Sequence, residues 1–456
     1  MMTILWSIAA FLVAIAILVT IHEAGHFLVA RWCNVRVRRF SLGFGRRLAA
    51  IRGRGPDHTE YCLSAIPLGG YVQMLDEREG EVEPHERHRA FNNRPLGQRT
   101  AIVAAGPAAN FLFAAVAYWA VAVIGEVEMR PLIDEPTPET PAAVAGLERG
   151  EEIIAVGDRE TSNWQRVAMA IMDAGFHREA LPVTVRDEQG RERTVHLDLS
   201  AEPELRETTD ILATVGLNAY TPDLPAVVGR LAPEGAAGDA GLAEGDRIVA
   251  IDGEAVDSWL ELVERVEPRP HEEITLTLER DGERRQVGLT LGAQERGGEE
   301  IGMLGVGPHI PESYRERLER EVQHGPLAAI GEGIERTWDT TTLTVKVLYR
   351  MVLGQASLQN IGGPVTIGQF AGDTASMGVV PFLTFLAVIS ISLGIINLLP
   401  IPILDGGHLL YFAYEAVTGK PPTEYAQTVG QQIGIAMLIG LMTLALYNDF
   451  HRLLGD

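Results

Sequence analysis

Long uncharged stretches alternate with polar ones along the chain, and their lengths predict its elements. Met1 to Ile21 carries no charge, and further uncharged runs cover Thr100 to Gly125, Thr374 to Leu404 and Tyr425 to Asn448. A bilayer core of about 30 Å is crossed by about 20 residues of helix, so each run can span it. The pattern predicts an α-helical polytopic membrane protein with four transmembrane segments, at residues 1–32, 99–125, 374–410 and 425–448. The first run lacks a basic flank and ends in a His/Glu cluster instead of a small-residue cleavage site, so it reads as a span and not as a cleaved leader.

The polar segments differ among themselves. Residues 33–98 contain two stretches, Arg38 to Leu48 and Tyr61 to Leu75, that alternate apolar and polar positions around glycines, which predicts a β-rich loop. Further on, Ala145-Gly146-Leu147-Glu148-Arg149-Gly150-Glu151-Glu152-Ile153-Ile154-Ala155-Val156 recurs 95 residues later as Ala240-Gly241-Leu242-Ala243-Glu244-Gly245-Asp246-Arg247-Ile248-Val249-Ala250-Ile251, and Trp164 recurs as Trp259. The period is too long for a solenoid and fits two tandem domains, 126–220 and 221–310, mostly β with one or two helices. The repeated pattern resembles PDZ domains of bacterial envelope proteases. Such domains can take a peptide C-terminus by adding it to a sheet edge, and they can equally serve as spacers or as a sieve. Residues 311–373 read as an amphipathic helical linker against the domains or the membrane surface, closed by Gly362-Gly363-Pro364.

Charge orients this arrangement. The 456 residues carry a net charge of -23, which excludes nucleic acid as a partner, because a phosphate backbone needs a basic face. Between Arg31 and Thr100, however, 13 Arg outnumber 8 acidic residues. A basic loop in an otherwise acidic membrane protein belongs on the cytoplasmic side. With 33–98 cytoplasmic, the termini and the tandem domains fall on the periplasmic face of a bacterial inner membrane. Cys33 and Cys62 both lie in the loop predicted to be cytoplasmic, so no disulfide is expected.

Candidate chemistry starts where the first run ends. His22-Glu23-Ala24-Gly25-His26 is an H-E-x-x-H sequence. On a helix, positions i and i+4 share a face, so both imidazoles can grip one Zn²⁺ with Glu23 beside it as general base. Ionisable groups at the end of an apolar span are unfavourable there without partners, which makes an intramembrane site the default reading. A catalytic zinc takes a third protein ligand and leaves one position open. Asn397 to His408 offers the candidates: Pro400 and Pro402 break the third span, and Asp405 and His408 follow. The first and third spans run in the same direction, so His22, His26 and Asp405 all lie towards cytoplasmic helix ends. Asp405 is the expected third ligand, and His408 is the rival. Two imidazoles and a carboxylate suit zinc, one ion per chain.

H-E-x-x-H in the first span, N-x-x-P-x-P-x-L-D-G at Asn397 to Gly406, Gly106-Pro107-Ala108-Ala109-Asn110-Phe111 in the second span and Ser41-Leu42-Gly43-Phe44-Gly45 together resemble the site-two protease family of intramembrane zinc metalloproteases, in its bacterial branch with tandem PDZ domains. The resemblance covers essentially the whole chain. It implies His22, His26 and Asp405 as zinc ligands and Glu23 as catalytic base, with Asn397, Pro400, Pro402, Gly43 and Gly45 positioning the substrate. It also implies that the 33–98 loop is a membrane-associated β-hairpin region presenting substrate as a strand. The substrates implied are single-pass membrane proteins, above all an anti-sigma factor already cut on its periplasmic side in an envelope stress response, and remnant signal peptides besides. Ser392 departs from the pattern, standing where Asn is expected five residues before Asn397. A silent membrane anchor that recruits envelope proteins through its PDZ copies is the competing reading, and the presence of both Glu23 and Asp405 speaks against it. A zinc protease acting on soluble peptides is a third.

Overall fold

The computed structural model describes every residue except 1, 56, 79, 175–179, 201–210, 233–234, 297–298, 355–361 and 455–456. The chain divides into two compact units, Met1–Glu126 with Val322–Gly455, and Val127–Glu321.

In the first unit four helices are long and apolar enough to cross a membrane: Ile4–Trp32, Leu96–Ile124, Val379–Leu398 and Glu424–Arg452. Lipid tails are as apolar as the side chains, so helices associate there through close packing of small residues. Gly25 of the first span meets the Ala105 backbone of the second so closely that a Cβ would overlap it. Gly394 of the third span lies against the Phe111 ring and the Pro107 carbonyl, and Ala114, Ala117, Tyr118, Ala387, Ile391 and Ile395 form a buried cluster between the second and third spans.

The expected third segment, 374–410, breaks at Pro400 and Pro402 as its sequence predicts, and at one further point. It is divided into Pro364–Met377, Val379–Leu398 and Asp405–Thr418, with irregular backbone at 399–404. Gly378, at φ 125°, breaks the first junction, and Pro400 with Pro402 breaks the second. The fourth helix, Glu424–Leu454, is tied to this region at Asp449, whose carboxylate accepts the amides of Gly363 and Val365, both at 2.8 Å, and the Thr366 hydroxyl at 2.6 Å. That caps the exposed donors of the Pro364–Met377 helix.

The linker contains helix, as its sequence predicts. Residues 355–361 lie outside the described set, but Ala328–Val352 is a continuous helix packed along the second span. Gly333 sits against Ala115 and Trp119, the Trp119 indole donates to the Pro326 carbonyl at 2.9 Å, and Tyr118 meets Thr340 at 3.2 Å. Charge within this helix is paired: Arg336 bonds Glu126 and also Glu332, at 2.7 Å.

Val37–Arg52 and Glu60–Met74 pair antiparallel as the expected β-rich loop. Leu42 pairs with both Gly70 and Leu63, and Ala50 pairs with Cys62, so the two long strands bend into four short segments in the order 70–74, 37–44, 60–66, 47–52.

In the second unit the repeat of the sequence is a repeat of structure. One four-stranded antiparallel sheet has the order Arg159–Glu160, Glu152–Val156, Ala180–Arg186, Glu192–Asp198. The other runs Glu254–Ala255, Arg247–Ile251, Glu273–Arg280, Glu283–Thr290. Trp164–Ala174 and Trp259–Val266 are the matching helices, each resting on a core of Ile, Leu and Val. The acidic position of the motif does the same task in both copies. Asp246 accepts the Ala243 amide at 2.8 Å and the Arg280 guanidinium at 2.6 and 2.7 Å. Glu151 accepts the Glu148 amide at 2.9 Å and Arg193 at 2.7 and 2.8 Å.

Candidate metal centre and active site

His22, Glu23 and His26 occupy adjacent turns of the first span, and all three are buried. The break at 399–404 lets Asp405 begin a new helix next to them. Nε2 of His22 and Nε2 of His26 are 3.2 Å apart, and Oδ2 of Asp405 lies 3.2 and 3.4 Å from them. A tetrahedral ion with bonds of about 2.0–2.1 Å separates its ligand atoms by about 3.3 Å, so the three atoms form one face of such a tetrahedron. Among the described residues this is the one group of three His, Cys or acidic side chains placed to share a metal. Asp405 Oδ2 is buried without a hydrogen-bond partner, an orphan acceptor that a cation satisfies.

The second span supplies the surroundings. Nδ1 of His26 lies 2.9 Å from the Ile102 carbonyl, which fixes the proton on Nδ1 and leaves Nε2 free to ligate. Nδ1 of His22 lies 3.2 Å from the Asn110 side-chain amide. Gly106 faces both imidazoles, and a Cβ there would fall inside 3 Å of His22 and His26. On another side runs the 70–74 segment of the β loop, whose Gly70 abuts Val19 and Glu23. A strand therefore packs against Glu23 beside the metal position. The Asp405–Thr418 helix is clamped to the start of the second span by a bidentate pair, Arg99 to Glu415 at 3.1 and 2.6 Å, with the guanidinium 5.2 Å above the Phe412 ring.

Of the residues singled out in the sequence, the structure brings together His22, Glu23, His26 and Asp405. His408 lies outside the metal group, its ring edge-on to Tyr411 at 6.3 Å. Asn397 lies in the last turn of the third span, and Pro400 and Pro402 fall in the irregular stretch before Asp405, with Pro402 against Gly430 of the fourth helix. Gly43 and Gly45, at φ 88° and 85°, bend the first strand of the β loop, where a Cβ added at Gly43 would lie 2.7 and 3.0 Å from the Ile66 and Ser64 carbonyl oxygens. The Ser392 hydroxyl donates to the Val388 carbonyl of its own helix at 3.0 Å. Ile102, Gly106, Asn110, Gly70 and the Arg99–Glu415 pair had no assigned role in the sequence, although the Gly106–Asn110 stretch contributed to the family likeness.

The model of peptidase family M50 matches residues 10–441. "Regulator of sigma-E protease RseP" of Escherichia coli K12 is 42% identical over 457 residues, covering 99% of this chain and all of the relative. A "Putative zinc metalloprotease" of Vibrio cholerae is 41% identical over 464 residues with the same coverage. A solved PDZ domain from Listeria monocytogenes covers 20% of this chain and 93% of its own at 22% identity, with a TM-score of 0.17, too slight a likeness to identify a fold. The family match runs from before the histidine pair to beyond Asp405, across all four apolar helices, and this chain belongs to peptidase family M50.

Proposed function

We propose that this chain hydrolyses a peptide bond in or beside the membrane-spanning segment of single-pass membrane proteins, with zinc held by His22, His26 and Asp405 and with Glu23 as general base. The observation that carries this reading is the triangle of Nε2, Nε2 and Oδ2 atoms 3.2–3.4 Å apart, with Glu23 adjacent, within a unit of four apolar helices. Bound zinc supplies the Lewis acid that activates water and polarises the scissile carbonyl. Glu23 takes the proton from the attacking water and returns it to the amide nitrogen as the C–N bond breaks. Helical peptide bonds are shielded, so the substrate must unwind to react, and strand addition at the β loop, whose 70–74 segment passes Glu23, would hold it extended. Asn397, Pro400 and Pro402 flank the same place.

The physiological substrate in this reading is an anti-sigma factor, already trimmed outside, in an envelope stress response; the name of the Escherichia coli relative, regulator of sigma-E protease, supports the link to a sigma factor. In this reading the β loop is cytoplasmic, and the termini and the tandem PDZ-like domains are periplasmic. The two domains exclude substrates with bulky external parts, and peptide C-termini are their candidate ligands.

The test compares wild type with Glu23→Gln, both purified in detergent with zinc quantified, on a single-pass substrate lacking its external domain. Wild type should cleave, and the zinc-loaded variant should lose about 10²–10⁴-fold in rate. Protein that binds no zinc, or a variant as active as wild type, would sink the proposal.

A further inference from the structure

Asn110 is completely buried in the second span, and its side-chain amide faces Nδ1 of His22 at 3.2 Å while its Oδ1 has no hydrogen-bond partner. This arrangement conflicts with the geometry beside it. His22 turns Nε2 toward the His26 and Asp405 donor atoms, so Nε2 is the ligating nitrogen. A neutral imidazole that ligates through Nε2 carries its proton on Nδ1 and needs an acceptor there. Amide oxygen and nitrogen exchange places by a half-turn of the side chain, and which one faces a neighbour is assigned from the hydrogen-bond network. The turn places Oδ1 on Nδ1–H and gives the orphaned oxygen its donor.

We propose that Asn110 is a positioning residue for the metal centre, accepting the Nδ1 proton of His22 through Oδ1 and so holding that imidazole in its zinc-binding tautomer and orientation. The inference rests on the zinc-site reading above. It makes the two histidines equivalent, since His26 gives its Nδ1 proton to the Ile102 carbonyl at 2.9 Å. Both acceptors lie on the second span, one from main chain and one from side chain. The third span holds the backbone that carries the second of them, because the buried Ser390 hydroxyl donates to the Asn110 main-chain carbonyl at 2.9 Å. One residue thereby joins the helix that carries the histidines to the helix that precedes Asp405.

The test measures zinc affinity of the full-length protein in detergent by chelator competition, with the absorption of the Co²⁺-substituted protein as a report on ligand geometry. Asn110→Leu keeps the volume and removes the acceptor. Asn110→Asp can accept but, ionised, cannot donate. The proposal expects zinc affinity to fall about 10–100-fold in Asn110→Leu, with a weakened tetrahedral Co²⁺ spectrum, and to be kept or raised in Asn110→Asp. Melting of the metal-free proteins separates this from a general packing defect, and should match wild type for both. If Asn110→Leu fails to fold, Asn110→Asp still decides: an equal loss there would mean that the amide donates or merely packs, and the proposal falls. Wild-type zinc affinity in Asn110→Leu would also overturn it. Wild-type protein that binds no zinc would overturn the metal-site reading itself, a failure distinguishable from either of these.

Discussion

Replacing Gly106 by Ala adds one methyl group to the second span at the point where it touches both zinc-binding candidates. In an exposed helix the change would be favourable, because alanine is the better helix former by roughly 0.5–1 kcal/mol. Here the new Cβ would lie within 3 Å of Nε2 and Cε1 of His26 and of Cε1 of His22. An ordinary van der Waals contact begins near 3.4 Å. The rings or the helix must therefore retreat by about half an ångström or more, whereas metal sites tolerate about 0.2 Å. The imidazoles cannot swing aside freely, since their Nδ1 atoms are engaged by Ile102 and Asn110. The expected result is loss of zinc to a chelator at a concentration wild type withstands, and a rate reduced on the order of 10²-fold. Gly97→Ala is the control: it lies in the same helix with nothing near its Cβ position, and should behave as wild type. Zinc content and turnover within twofold of wild type in Gly106→Ala would refute the close contact on which the reasoning stands.

Two further outcomes follow from the same structure. Arg99→Ala or Glu415→Ala leaves the other member of a largely buried bidentate pair unmatched and should destabilise the first unit by about 1–3 kcal/mol, with zinc retention falling as the Asp405–Thr418 helix loosens; an unchanged melting temperature in detergent would contradict this. In the second repeat the Arg280 guanidinium holds the Asp246 carboxyl below its ordinary range, so the pair stabilises the fold above the unfolded carboxyl pKa of about 3.9 and loses that contribution as pH falls through the lower folded value. Pulse proteolysis in urea on the full chain should show wild type ahead of Asp246→Asn at pH 7, with the gap closing below about pH 4; a gap that persists at pH 2 would rule out the ion pair as its source.

Chemistry that depends on one helix was legible in the sequence, because H-E-x-x-H needs only the spacing of 3.6 residues per turn to place His22 and His26 together. Asp405 was legible through two facts, the parallel direction of two spans and the proline break before it. The surroundings of the metal were hidden, since Gly106 and Asn110 face the histidines only through the rotation of one uncharged helix against another. Hydropathy overran the third span because it does not register the positive φ of Gly378. In the repeat, the acidic position at Glu151 and Asp246 recurs at the motif's own spacing, but Arg193 and Arg280 are 87 residues apart instead of 95, so the ion pairs escaped the alignment that revealed the copies.

The second span carries none of the four residues assigned to the chemistry, yet it determines where three of them stand. Gly25 seats the first span against Ala105, Gly106 makes room for both imidazoles, Ile102 and Asn110 face their outer nitrogens, and Pro107 and Phe111 receive Gly394 of the third span. Arg99, at its beginning, fixes the helix that opens with Asp405. Two candidate ligands from one helix and one from another are brought within 3.2–3.4 Å of one another by a template that contributes none. The lipid-exposed side of that same helix, at Leu112 and Val116, has no such duty. Enlarging a small residue on the inner side should therefore disturb the metal before the fold, and the same change on the outer side should disturb neither.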